Sequence, residues 1–339
     1  MKISGFLVVA AATLAGTLPA SAAAEEAFRS FQGYSLLGEP MYTDDVNPTN
    51  VTDTETLLWA VADAKSAMER DPSVDNIVWY GRLLGYQTLG REAVAVFSDG
   101  LKRYPNSAKL LRHRAHRYFN LREFDRSIAD GLKAAALYKG QPLERERLGP
   151  DRFPGTPDIV QFYLYYHLGG AYFAKRDYDN AEKWFNEAYE LIRPNGNAQD
   201  VAAPLYWRYL ALMRLNRTIE AEAFLNSYKF KADDLAPTGE GPFYFNAIQL
   251  FRGNRFADDF YTEKDSGRPF GGADGAKSSS SYSLAMYWLM RGEREKAKKW
   301  LASAIDIKTW AYFPRIQAEV EWKNLYGDEK PASSGRSPQ

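Results

Sequence analysis

The stretch YHLGGAYFAKRDYDNAEKWFNEAYELIRP, residues 166–194, sets small residues and aromatics at fixed intervals: Gly169, Tyr172, Ala181, Phe185, Ala188 and then Pro194. Apolar positions recur three and four apart on both sides of the polar run KRDYDN, which predicts two amphipathic helices of about 12 to 15 residues joined by a short turn. Gly169 and Ala181 fall where such a pair would cross. The lack of a large side chain there lets two backbones approach to roughly 8 to 10 Å, and the aromatics fill the space beside the crossing. Pro194 is placed to end the second helix.

The same pattern returns along the chain. Tyr80, Gly81, Leu84, Ala93, Phe97 and Gly100 stand at the offsets of Leu168, Gly169, Tyr172, Ala181, Phe185 and Ala188, and Pro105 follows within one position of the place of Pro194. A further copy, with Leu111, Ala115, Tyr118 and Ala134, starts about 34 residues after the first, the period of a helix-turn-helix repeat. Weaker copies carry Ala221 and Leu225, then Leu284, Ala285, Trp288, Ala297, Leu301 and Ala304. The runs TLGRE, NLREFDR, LNRTIE and RGEREK are short polar turns between the paired helices.

This pattern resembles the tetratricopeptide repeat family, with copies at about 74–107, 108–139, 162–195, 202–235 and 278–310. The second copy departs from it, lacking the expected small residue near Ser127 and holding Gly131 in an aromatic slot. The resemblance implies an all-α, right-handed superhelical solenoid at 54–326, whose first helices line a concave groove and whose usual work is to hold another protein. It supplies no reaction.

Charge and composition narrow the partners. Lys plus Arg and Asp plus Glu both number 43, so no global field draws the chain to nucleic acid or to an acidic membrane. The absence of cysteine excludes disulfides, thiolate metal sites and a cysteine nucleophile. At the N-terminus, Lys2, the apolar run from Phe6 to Leu14 and the small-x-small site Ala20-Ser21-Ala22 read as a secretory signal over 1–22. That run is shorter than the roughly 18 to 20 residues of a membrane span. The expectation is export to the periplasm or beyond, with no integral membrane segment after cleavage.

Around the array, 23–53 is expected to be extended and a helix from Thr54 to cap the first repeat. A last helix near 314–326 is expected to seal the other end, with 327–339 a disordered tail. The insertion at 139–158, rich in Pro, Gly and charge, is read as a plain loop in preference to an excursion over the groove. That at 264–279 is read as a flexible linker, and GPFYFNAIQLFRGNRFADDFY (241–261) as a degenerate helix pair.

Chemical motifs are sparse. GGADGAKS (271–278) misses a phosphate-binding loop because Ala276 stands in the place of the second glycine, and no strand pattern precedes it. His113 and His167 occupy equivalent slots of their copies and could face each other. No acidic third ligand is evident, and Arg112, Arg114 and Arg117 disfavour a cation, so the three histidines are read as hydrogen-bonded structural groups. No GxSxG or HExxH spacing occurs, and the sequons at Asn50 and Asn216 are of a kind common by chance. No catalytic residue, metal or cofactor is assigned.

The resemblance instead places Arg82, Tyr86, Arg112, His116, Phe119, Asn120, Tyr163, Tyr166, Phe173 and Tyr206 on the concave side, with Met213 and Tyr282 further along. Arginine forks match carboxylates and tyrosines give broad contact at low entropy cost, which suits an extended acidic or C-terminal peptide segment. In this reading Arg82, Arg112 and His116 anchor the negative end, while Tyr163, Tyr166 and Phe173 pack apolar side chains. Several of the tyrosines fit equally between helices. The expected function is a non-catalytic interaction scaffold with a protein or peptide partner; the alternative is a binding protein for a small molecule or glycan using the same aromatics.

Overall fold

A computed structural model describes residues 30–43, 54–148, 158–230, 241–260 and 272–331. The signal segment 1–22, Asn50 and residues 264–271 and 332–339 lie outside them. The described residues form α1 (Thr54–Arg70), α2 (Val74–Tyr86), α3 (Gly90–Arg103), α4 (Ala108–Asn120), α5 (Phe124–Tyr138), α6 (Val160–Ala174), α7 (Tyr178–Asn195), α8 (Ala198–Arg214) and α9 (Thr218–Leu225). They continue with α10 (Gly241–Phe251), α11 (Gly272–Leu289), α12 (Arg294–Ile305) and α13 (Phe313–Tyr326). Two small hairpins complete them, β1 (Phe31–Tyr34) with β2 (Pro40–Tyr42) and β3 (Arg145–Glu146) with β4 (Asp158–Ile159), both antiparallel.

Each helix packs on its neighbour in sequence from α1 to α9, and the first helices α2, α4, α6 and α8 also touch one another directly, which makes them the inner row of a solenoid. The small-residue slots explain the spacing. A Cβ on Gly81 would lie 2.3 Å from the ring of Phe97, and one on Gly169 2.7 Å from that of Phe185, so each glycine admits the phenylalanine of its own second helix. Ala93, Ala181, Ala221 and Ala297 are fully buried at one position of successive second helices. Ser127 fills that position in the second copy and is itself buried, so the slot is occupied by a small residue after all. Gly131, in the aromatic slot, makes room for Leu168 of the next copy, where an added Cβ would come within 2.9 Å.

The turns repeat as closely as the helices. Thr88, Arg122, Arg176 and Asn216 all have φ near +60°, and Gly253 and Gly292 take the same place after α10 and α11. In each, the left-handed residue bonds back three residues and its successor five: Thr88 N–H to Gly85 O and Leu89 N–H to Leu84 O in the first, Gly253 N–H to Leu250 O and Asn254 N–H to Gln249 O after α10. This is the Schellman ending. It identifies α10 as the first helix of a sixth copy, whose second half shows, among the described residues, the 3₁₀ turn Ala257–Asp259.

Several expectations change here. Residues 272–279 are helical, part of α11, so the near-miss phosphate loop is helix from Gly272 onward; Lys277 bonds Asp306 and Ser278 bonds Ala304 O. Pro194 lies inside the last turn of α7, one residue before its end. The described part of the tail is tied down, with Trp322 Nε1 donating to Glu329 O at 2.6 Å and Lys330 to Leu37 O. The insertion after α5 does not stay on the rim as a plain loop: β3 carries Glu146 onto the arginines of α2 and α4.

The largest departure is α13. Besides packing on α11 and α12 it reaches back to α6. Phe313 meets Phe119 of α4, Tyr166 of α6 and Trp207 of α8 at ring separations of 4.9, 5.5 and 4.6 Å. A Cβ on Gly170 would lie 2.3 Å from the Phe313 ring, so Gly170 is its seat. A single side chain that touches three successive first helices lies along the trough, not at the end of the array.

Candidate partner-binding face

The concave face divides into two halves. One half is closed by the chain itself: Phe119, Phe173 and Tyr206 are at most 1% exposed. Tyr166 is also buried; its hydroxyl pairs with that of Tyr244 at 2.8 Å. Tyr206 pairs with Ser283 at 3.1 Å and Asn120 Nδ2 donates to Ala311 O at 3.0 Å. These five of the expected contact residues are core. The chain's own later helices have taken the place given to a partner: Phe313 of α13 covers Phe119 and Tyr166, and α10 and α11 cover Tyr206.

Beside this closed half, Glu319 of α13 accepts from Arg122 at 3.0 and 2.6 Å, from Arg315 at 3.2 Å and from Leu36 N at 3.3 Å. Burial would raise its carboxyl, but Arg122 and then Arg315 hold it below the ordinary value. The β1–β2 hairpin is fixed over the same region: Gln32 bonds Arg91 and Glu92, Arg315 pairs with Glu39 at 3.2 Å, and Trp310 Nε1 donates to Tyr42 O at 2.9 Å.

The other half, on α2, α4 and α6, is polar. Pairs four residues apart put Arg82 and Tyr86, Arg112 and His116, and Tyr163 and His167 each on one helix face. Arg82 and Arg112 are buried against the insertion, Arg82 Nη2 lying 3.1 Å from Asp158 and both guanidiniums within 3.9 Å of Glu146. His113 bridges them: Arg112 Nη1 lies 2.6 Å from its Nδ1, and its Nε2 lies 2.8 Å from Glu146. Burial first, then Arg112, lowers the His113 pKa to about 3, so the ring is neutral and gives its Nε2–H to the carboxylate. Burial would raise Glu146, but His113 and Arg112 hold it well below the carboxylate range.

Tyr86, His116 and Tyr163 remain partly open to solvent. So does Arg117, which composition and spacing had marked only as a repellent of metal. It crosses Gly85, where an added Cβ would come within 2.0 Å of its Nη1, and its Nη2 lies 2.7 Å from His116 Nδ1. Burial first, with Arg112 and Arg82 nearby and Tyr86 opposing, lowers its pKa to about 10. The histidines that meet are His116 and His167, stacked at 3.8 Å, and not His113 and His167. Among the described residues no group of three or more His, Asp or Glu is arranged to hold a metal, and no helix is long and apolar enough to cross a membrane.

Comparison with known proteins gives one sequence match and a set of fold likenesses. No curated protein matches the chain in sequence. Among solved structures, YrrB, described as a TPR protein with an unusual peptide-binding site, aligns at 15% identity over 78% of this chain and 100% of its own, with a TM-score of 0.39. BtubC from P. vanneervenii aligns at 14% identity over 84% and 96%, TM-score 0.41. Naa15/Naa10 bound to HypK-THB aligns at 16% over 83% and 42%, TM-score 0.33. Residues 162–195, the stretch from which the repeat was first read, match the tetratricopeptide repeat family. With that match and the turn that recurs after six first helices, the chain is an all-α solenoid of tetratricopeptide type.

Proposed function

We propose that the protein is a non-catalytic scaffold that holds a partner protein or peptide on the open, polar half of its concave face. The observation that supports this is the partly exposed set Tyr86, His116, Arg117 and Tyr163, gathered on three successive first helices, with the Arg117 guanidinium bonded to His116. The anchoring role shifts accordingly. Arg82 and Arg112 are held by Glu146 and Asp158 and act as supports, while Arg117 and His116 meet the partner's acidic group and Tyr163 its apolar neighbour. Tyr166, Phe173 and Tyr206 are buried, Tyr166 against Phe313 of α13, Phe173 against Phe185 and Trp207, and Tyr206 against Tyr244 and Phe251 of α10, and offer no stacking surface for a glycan.

The test compares proteins retained by the full chain and by Arg117→Gln and Tyr163→Ala variants. A partner retained by the parent and lost by both variants supports the reading. Equal retention by all three sinks it. Export belongs to the same proposal and rests on residues 1–22; N-terminal sequencing of the protein made in its own host is expected to begin at Ala23, and a start at Met1 removes that part.

A further inference from the structure

Arg82 and Arg112, expected from the repeat pattern to meet the negative end of a partner, already hold a carboxylate. Glu146 Oε1 lies 3.7 Å from Arg82 Nη1 and 3.9 Å from Arg112 Nη1, and its Oε2 lies 2.8 Å from His113 Nε2. The inner row thus has a carboxylate seat that is shown by its occupant, and the occupant belongs to the chain itself.

The way this occupant is held sets it apart from the core. Of residues 139–148 only Glu146 is buried, and Leu143 is 41% exposed, so no buried apolar side chain anchors the segment. Its other ties are polar. Gln161 Nε2 donates to Pro142 O at 2.7 Å, Gln161 Oε1 accepts from Glu144 N at 2.9 Å, and Lys109 pairs with Glu144 at 2.9 Å. Strand β3 meets β4 over two residues. A segment fixed in this manner opens locally at lower cost than the helices beneath it.

The seat is also incompletely satisfied. Glu146 Oε1 and Arg112 Nε are both buried without a hydrogen-bond partner, an acceptor and a donor left unmade in one cluster. Glu146 therefore fits by charge and not by geometry. A carboxylate that is free to turn can meet a guanidinium edge with two parallel hydrogen bonds and regain what Glu146 leaves unmade.

We propose that β3 is a built-in competitor: Glu146 occupies the seat on Arg82, Arg112 and His113 until an acidic peptide segment displaces it. The proposal rests on the partner reading above for the chemistry of the incoming segment, and adds the regulation of that face. The partly exposed Arg117 and His116 make the first contact. Arg82 keeps Asp158 of β4 at 3.1 Å, whereas among the described residues Arg112 has no carboxylate but Glu146 within ion-pair distance, so Arg112 is the group released.

The probe is fluorescein-labelled hexaglutamate, titrated into the full chain and followed by anisotropy. Glu146→Gln removes the internal carboxylate and is expected to tighten binding about tenfold or more relative to the parent. Gln161→Ala keeps every charge but removes both bonds that tie residues 142 and 144 to α6, and is expected to tighten it about threefold or more. Adding Arg112→Gln to either variant is expected to cancel the gain. Glu190→Gln, which removes an exposed carboxylate on α7, controls for the loss of one negative charge and is expected to leave binding unchanged. Hexaglutamate binding that is no tighter in either folded variant overturns the proposal, as does a gain that Arg112→Gln leaves intact. Where Glu146→Gln does not fold, Gln161→Ala decides alone. A partner captured by the parent with unchanged hexaglutamate affinity in both variants sinks the competitor and leaves the scaffold; tighter hexaglutamate binding with no partner captured does the reverse.

Discussion

Thr88 holds a β-branched side chain in the left-handed region, at φ +59°, because the first repeat must turn there. Such a residue carries strain of about 1–2 kcal/mol that glycine avoids, partly offset by glycine's freedom in the unfolded chain. Thr88→Gly is therefore expected to stabilise the protein by about 0.5–1 kcal/mol in urea denaturation. Glu319 works in the other direction. It is fully buried between Arg122 and Arg315, so Glu319→Gln leaves Arg122 without its anion and Arg315 with Glu39 alone, and is expected to cost about 3–5 kcal/mol in the same assay. The residue-scale pattern that the sequence shows is the local one. Gly81 with Phe97 and Gly169 with Phe185 are readable because both partners lie in one hairpin, at offsets set by the helix. Glu146 was not readable, since its partners are 33 or more positions away and nothing in the spacing of the insertion ties it to Arg82, Arg112 or His113.

Among elements, α13 has the greatest consequence. Sequence periodicity gives its extent nearly to the residue, yet where it docks depends on shape. A clue was present: the repeat needs one glycine at Gly169, and the second, Gly170, has no use in its own hairpin. Its use is the ring of Phe313, 143 positions further on. Phe313 is only partly buried, so Phe313→Ala is expected to cost about 2–4 kcal/mol, somewhat below a full core phenylalanine, and to increase exposure of Tyr166 and Trp207. Trp207 stacks on Phe185 and meets Phe173, Tyr282 and Phe313, so a red shift of tryptophan emission in a still-folded Phe313→Ala protein checks the second part. An unchanged spectrum with unchanged stability would contradict the packing described. The degenerate tenth helix shows the same limit: its small-residue slots are worn away, and only the Schellman turn at Gly253 reveals that it belongs to the series.

For the whole molecule, the histidine cluster couples stability to pH. All three imidazoles are held below the ordinary value: His113 by burial and Arg112, His116 by burial and Arg117, His167 by burial and Arg112. As pH falls below about 6.5 the unfolded chain takes up protons that the folded chain refuses, so stability decreases on acidification. Each group contributes up to about 1.4 kcal/mol per pH unit until its folded pKa is reached, about 3 for His113. Glu146 and Glu319, whose folded values are depressed, add loss of the same sign below about pH 4.5. The unfolding midpoint in urea is expected to fall steadily from pH 7 to pH 5, and to fall less steeply in His167→Gln. A midpoint independent of pH over that interval would mean that the imidazoles are open to water.

The account turns on a trough whose aromatic half is filled by its own C-terminal helix. Native-state amide hydrogen exchange on the full chain measures this most directly. Helix α13, Phe313–Tyr326, is expected to exchange about as slowly as α6 and α8, against which Phe313 is wedged, and to lose that protection first in Phe313→Ala. Exchange of α13 as fast as that of an isolated helix, while α6 and α8 stay protected, would show the trough to be open.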